Sequence, residues 1–302
     1  MSFDHLQALI KAKKCPLALT LEPRGEYIPP FLLKGSFEQY GQTREGAADA
    51  ALRYSLGLIE GLADTIPALR IQSAYFERLG WQGMRALEQV IAAAHEKGLF
   101  VIADSKQGQS GSAARALGES WLGRTRVGEA QCEVYGADCL TVNAYLGSDA
   151  IAPLLELCRE LDKCLLVLVK TANPSGGELQ DMVAGDRVVH QVMGDLAQRL
   201  GGQPGKFGYS RAGAVVETTY PSDLRALRRR LEQTFFLLSD ALPPQEARFA
   251  FDKYGRGVLV SVARPLLSAW QRSGRDGRDY PEAAREAARE LREAYKQYVT
   301  VL

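Results

Sequence analysis

Asp104 and Lys106 stand two residues apart in the stretch VIADSKQGQSGSAA, Val101 to Ala114, where an apolar run meets a glycine- and serine-rich turn. Residues at i and i+2 of an extended segment point to the same side. A lysine held by a carboxylate keeps its proton and can deliver it to a developing carbanion. The carboxylate can also press on a departing substrate carboxylate. The plainer reading is a salt bridge that closes a strand end, because structural ion pairs carry the same signature.

Further polar residues fall at the ends of other apolar runs: Glu22, Arg70, Gln72, Asn143, Lys170, Thr171, Asn173, Glu217 and Arg264. Charges gathered at one place are costly to bury unpaired. Lys170 is therefore expected to pair with Glu217 or Glu22. Glu22, Asp104 and Glu217 could hold Mg²⁺, but Arg70 and Lys106 already supply cations, so no metal and no other cofactor is expected. His5, His95 and His190 all fall in helical patterns, which argues against a histidine base and against His-ligated zinc. Tyr145 and Tyr220 are expected to pack the wall rather than stack on a base.

The elements that must position these residues repeat along the chain. Eight short runs rich in Val, Leu and Ile predict strands at Leu17–Leu21, Ala68–Gln72, Leu99–Asp104, Cys139–Asn143, Cys164–Lys170, Ala212–Val216, Phe235–Leu238 and Val258–Ser261. Helical patterns predict Thr43–Leu62, Gly83–Lys97, Ser112–Gly123, Asp149–Leu161, Arg187–Leu200, Ser222–Glu232, Gln245–Asp252 and Arg264–Gln271, with a terminal helix over Tyr280–Val299. Eight strand–helix units imply an α/β fold, a (β/α)₈ TIM barrel forming a single domain over 1–302, with extra N- and C-terminal helices. An open doubly wound sheet is the rival, but no G-x-G-x-x-G follows the first strand. In a barrel of this kind chemistry sits at the C-terminal strand ends, where the polar residues above fall.

Composition narrows the partners. The 302 residues are 46% hydrophobic and 24% charged, with a formal net charge of +1, so nothing favours nucleic acid. No apolar run approaches roughly 20 residues, so no membrane partner is expected. Five cysteines without a C-x-x-C pair suggest reduced, mostly buried thiols in a cytoplasmic protein. The N-terminal MSFDHLQALIKAKK is amphipathic and unlike a signal peptide. Arg225–Gln233 is read as a solvated helix face, and Gly201–Gly208 as a loop with freedom to move.

Several stretches together resemble the orotidine 5′-phosphate decarboxylase family in its longer bacterial subgroup. The Asp104 stretch is similar to the family's D-x-K-R-G-D-I-G-S-T-A. Arg70 with IQSAYFE resembles K-P-Q-x-A-F-F-E, and TVNAYLG at Thr141–Gly147 resembles T-V-N-P-Y-L-G. TANPSGGELQD at Thr171–Asp181 resembles T-S-N-P-G-S-G-D-L-Q-D, and GAVVETTYP at Gly213–Pro221 resembles G-x-V-V-G-A-T-x-P. Blocks that agree in order and spacing are far more specific than one short motif.

The resemblance implies a cofactor-free barrel homodimer that decarboxylates a pyrimidine nucleotide, with active sites near the interface. It also implies a Lys-Asp-Lys-Asp array whose last Asp comes from the partner subunit. Here that array reads Arg70, Asp104, Lys106, Gln109. Glu22 stands at the family's ribose-contacting Asp, Ala172 beside Asn173 at its ring-contacting Ser, and Arg264 at its phosphate-binding Arg. Asn143 belongs to the T-V-N-P-Y-L-G block, and Glu217 is a carboxylate where the family has Gly. SDALPPQEA, Ser239–Ala247, lacks the glycines of the family's phosphate-gripping loop. Arginine is a planar fork that does not lose its proton, and Gln109 removes a negative charge. The pattern favours a barrel repurposed as a cofactor-independent carbon–carbon lyase, or a related acid–base enzyme, on a small anionic, nucleotide-like substrate. Weak or absent orotidine 5′-phosphate decarboxylation goes with that reading. The alternatives are a non-catalytic or regulatory homologue, and a true orotidine 5′-phosphate decarboxylase with altered contacts.

Overall fold

The computed structural model describes residues 2–240, 242–272 and 276–299. Eight parallel strands close into a barrel: β1 Leu17–Leu21, β2 Ala68–Gln72, β3 Phe100–Gln107, β4 Cys139–Val142, β5 Cys164–Lys170, β6 Ala212–Val216, β7 Phe236–Ser239 and β8 Val258–Val262. β8 returns to β1 with Val260 opposite Leu17, so no edge is left open. Alternation along each strand sorts the core. Ala18, Ala68, Phe100, Ile102, Cys139, Cys164, Leu166, Val215, Leu237 and Leu259 form the barrel interior. Their neighbours Leu19, Leu69, Val101, Leu140, Leu165 and Val260 belong to the larger cluster that includes the surrounding helices. Continuing the interior rows one step brings Thr20, Arg70, Asp104, Thr141 and Ser261 to the C-terminal mouth.

Helices Arg44–Leu62, Trp81–Glu96, Gly111–Trp121, Ala152–Leu161, Val189–Gly201 and Pro221–Arg230 cover the strands close to the expected positions. Thr43 caps the first of these through its hydroxyl, which accepts from Gly46 N at 3.2 Å. Helix Pro30–Tyr40 and an exposed hairpin, Arg124–Val127 with Ala130–Glu133, were not foreseen. The hairpin strands carry no buried residue, so no hydrophobic alternation marks them.

The end helices have definite tasks. Helix Ser2–Lys13 inserts Phe3, Leu6 and Ile10 into the interior cluster, where Phe3 stacks on Phe235 with ring centres 4.7 Å apart. Burying each such side chain contributes about 1.5–3 kcal/mol. Helix Tyr280–Lys296 lies on Arg44–Leu62, with its buried face formed by Tyr280, Ala284, Ala287, Ala288 and Tyr295. Among the described residues, no helix is long and apolar enough to cross a membrane. Four of the five free cysteines are buried, and Cys132 on the hairpin is exposed.

Three expectations are corrected. The Arg225–Gln233 run is not wholly solvated. Arg228 is buried over the Phe236 ring at 3.7 Å and donates to the carbonyls of Ala250, Leu231, Thr234 and Gly257. The expected Gln245–Asp252 helix is shorter, Pro244–Ala247 followed by a 3₁₀ turn at Arg248–Ala250. The Gly201–Gly208 loop is pinned, because Lys206 N and Phe207 N donate to the Asp4 carboxylate at 3.0 and 2.9 Å. Tyr145 and Tyr220 do not pack the wall, being 70% and 65% exposed.

Candidate active site

β3 makes the site by breaking its own register. Ala103 lies opposite Leu140, but the next partner pair is Gln107 with Val142, so β3 fits in two extra residues. Lys106 sits in this bulge at φ +52°, a left-handed conformation costly for a side-chain-bearing residue. Thr141 of β4 holds the distortion from both ends. Its hydroxyl accepts Lys106 N at 3.0 Å and donates to Asp104 Oδ1 at 2.7 Å. Asp104 and Lys106 do meet, but through a bulge stabilised by Thr141 rather than through flat-strand alternation.

Asp104 is the hub, 3% exposed. Its Oδ2 accepts from Lys106 Nζ at 2.6 Å, and from Arg70 Nε at 2.9 Å, with Arg70 Nη2 at 2.8 Å. Arg70 is itself buried and donates through Nη1 to Glu217 Oε1 at 2.7 Å and to Ser261 Oγ at 3.3 Å. Thr20 and Ser261 share a hydrogen bond beneath it. Lys106 Nζ also donates to Gln72 Oε1 at 3.0 Å. Burial opposes ionisation of Asp104, but Arg70 and Lys106, with hydrogen bonds from Lys106 and Thr141, outweigh it and hold the carboxyl below its usual range. Burial likewise opposes the Arg70 charge, and Asp104 and Glu217 overcome it. Every buried charge here is paired, as its burial demands.

One cavity of about 220 Å³ opens onto this network. Six of the polar residues expected at strand ends line it: Glu22, Arg70, Gln72, Asp104, Lys106 and Glu217. The remaining expected residues do not. Gln109 is exposed in the turn before helix Gly111–Trp121, and Arg264 is exposed at the start of helix Arg264–Leu267. Asn143 is exposed and uses its Oδ1 to accept Tyr145 N at 2.9 Å. Ala172 and Asn173 are exposed on the segment after β5. The expected pairing of Lys170 with Glu217 or Glu22 is also wrong. The β5–β6 register slips between Val215 and Val216, and the Lys170 ammonium pairs with Asp181. Glu22 is taken instead by Arg24, at 2.9 Å.

Thr20, Ser239, Asp240, Ser261 and Ala263 also line the cavity, and Thr141 supports it from below. Sequence reasoning assigned them no role. The two-residue interior period could have found Thr20, Ser239 and Ser261, since each continues an inward row. Asp240 stands in the segment that lacks the glycines, of which residue 241 lies outside the described residues. Its packed surroundings, then the charges of Glu217 and Glu22, raise its carboxyl above the ordinary value against backbone hydrogen bonds from its own N–H and from Ala263. The cavity thus has a proton-bearing side on β2 and β3, and a carboxylate side on β6, β7 and β1.

A barrel whose mouth carries a lysine on a buried aspartate is a frame for many reactions. The sequence matches the Orotidine 5′-phosphate decarboxylase / HUMPS family over residues 47–269. The chain belongs to this family. It is 32% identical over 301 residues to an orotidine 5′-phosphate decarboxylase of Rhodopirellula baltica, covering 97% of this chain and 98% of the relative. It is also 32% identical over 288 residues to one of Deinococcus radiodurans, covering 93% and 92%. Among solved structures, the OMP decarboxylase of Leishmania donovani superposes with a TM-score of 0.73 at 27% identity, covering 98% of this chain and 99% of that one. Family membership and the barrel expected from sequence are therefore established together.

Proposed function

We propose that this chain is a decarboxylase that acts on orotidine 5′-phosphate, with Lys106 as the proton donor. The observation that carries the chemistry is the Lys106 ammonium 2.6 Å from buried Asp104, with Arg70 behind the same carboxylate oxygen. Relatives that align over nearly their whole length carry this activity in their names, which supports orotidine 5′-phosphate over the unidentified anion expected from sequence. The bond from the ring carbon to the carboxylate breaks, CO₂ leaves, and the electron pair stays on the ring carbon. A proton from Lys106 Nζ then forms the C–H bond, and water returns a proton to the lysine. Asp104 orients the Lys106 Nζ through their 2.6 Å hydrogen bond, and its negative charge would repel a substrate carboxylate placed beside it. Delivery from a positioned acid typically contributes 10²–10⁴-fold.

A second reading, decarboxylation of a different small anionic substrate, is favoured by one observation. Glu217 occupies Arg70, and Asp240 faces the cavity in the segment where the family resemblance places phosphate. Release of CO₂ from orotidine 5′-phosphate by wild type and by Lys106→Ala separates the readings. Lys106-dependent release supports the first. No release from this nucleotide, with Lys106-dependent turnover of another carboxylate, supports the second. No turnover of any carboxylate would mark a non-catalytic homologue.

The active unit in this proposal is a homodimer with the mouths near the interface. Exposed Gln109 lies in the turn that in the resemblance crosses to the partner. Apolar surface is available close by on the same end of the barrel: Tyr145 and Leu146 after β4, and Leu179, Met182 and Val183 after β5.

A further inference from the structure

A charge cluster at the end of β5 joins three elements that the proton-transfer chemistry does not use. Lys170, 6% exposed, closes the strand and pairs with Asp181 in the following segment. His190, 7% exposed on helix Val189–Gly201, places Nδ1 3.0 Å from the Gln180 carbonyl oxygen and 3.3 Å from Asp181 Oδ1. Between Lys170 and Asp181 the chain closes on itself. Thr171 N donates to Gln180 Oε1 at 3.0 Å, and Gln180 Nε2 returns a bond to Thr171 Oγ1 at 2.6 Å. The Thr171 hydroxyl donates to Asn173 Oδ1 at 2.6 Å.

Packing alone would not hold this segment. Ala172, Asn173, Pro174 and Ser175 are exposed, and so are Leu179, Met182 and Val183 further on. Segments with so few buried apolar contacts open readily. A buried ammonium, by contrast, is expensive without a counter-ion. Lys170 therefore requires Asp181, and that requirement ties down the far end of the segment. The residues carried between the two ties include Ala172 and Asn173.

We propose that Asp181 is a positioning residue, which through Lys170 and His190 fixes the Thr171–Gln180 segment so that Ala172 and Asn173 stand in one place at the mouth during substrate binding. The inference rests on the mouth being the active site. It gives half-buried Gln180 and exposed Asp181 a task that contact with substrate does not supply.

Hydrogen exchange of the full chain tests the clamp, and steady-state kinetics with orotidine 5′-phosphate test its consequence. Asp181→Asn should speed exchange over residues 171–181 by about tenfold while helix Trp81–Glu96 is unchanged. Asp181→Glu should recover most of the protection. In turnover, Asp181→Asn should raise KM more than it lowers kcat. Lys170→Met removes the buried charge together with its need for a partner, so it should loosen the same residues without unfolding the barrel. Unchanged exchange in Asp181→Asn overturns the proposal, as does loosened exchange with unaltered KM. Failure of wild type to turn over the nucleotide counts against the proposed substrate alone, and the exchange experiment then decides the clamp.

Discussion

Replacing Asp104 by Asn tests the hub directly. The carboxylate receives Arg70, Lys106 and Thr141, and hydrogen bonds to charged groups contribute about 1.5–3 kcal/mol each. Asparagine is nearly isosteric but brings an N–H₂ that must face one of these donors. It also leaves Arg70, 4% exposed, with Glu217 as its remaining carboxylate partner. Breaking a buried pair in this way costs about 3–5 kcal/mol. The lower figure applies here, because Glu217 still neutralises part of the charge. At about 2–4 °C per kcal/mol for a large domain, the melting temperature should fall by roughly 6–12 °C. Turnover should fall by about 10²–10⁴-fold, the usual worth of a positioned acid. The assay pairs a thermal melt with CO₂ release, and Glu217→Gln serves as control. That variant should lose less of both, since Arg70 keeps Asp104. A variant Asp104→Asn that melts within a degree of wild type and retains most turnover would show that the network is a surface salt bridge in effect, and the reasoning would fail.

Three further outcomes are expected. Lys106→Gly should abolish turnover yet lose less stability in urea than Lys106→Ala, because both lose the bond to Asp104 but only glycine accepts φ +52° without strain; a larger loss in the glycine variant would count against the strained-bulge account. Asp240, whose pKa is raised on folding, favours the folded state below the ordinary carboxylate value of about 3.9 and loses that contribution as pH rises through its folded value. Asp240→Asn should therefore remove a decline in stability that sets in as pH rises above about 4, whereas Asp104, with its lowered pKa, contributes stability that is lost as pH falls below the ordinary value; identical pH slopes for wild type and Asp240→Asn would refute this. Sedimentation at micromolar protein should give a dimer, and a clean monomer would remove the proposed partnership at Gln109.

Strand positions were legible because strands buried on both faces read as unbroken apolar runs, as in Cys164–Lys170. The Asp104–Lys106 pair was legible from its spacing at a strand end, and the place of Arg70 beside it from the family resemblance. What stayed hidden depends on register and side-chain reach. The slip near Val216 that sends Lys170 to Asp181 has no signature in residue type. Nor does the inward turn of Arg228, which needs the distant carbonyls of Ala250 and Gly257 to arrive beside the local ones of Leu231 and Thr234. Thr141 was quoted as part of a motif, but its double hydrogen bond appears only once β3 is seen to bulge.

The bulge also bears on transplantation. On a flat strand, residues two apart are separated by roughly 6.6 Å along the chain, which a lysine must span by folding its own side chain. Here Lys106 meets Asp104 from a left-handed turn within a two-residue bulge, and a hydroxyl from the neighbouring strand holds that turn. Writing Asp-x-Lys onto the end of another barrel strand would copy the letters without the curvature. A functional graft needs at least the two additional β3 residues and a Thr at the facing position, so the smallest portable unit of this site is a pair of adjacent strands.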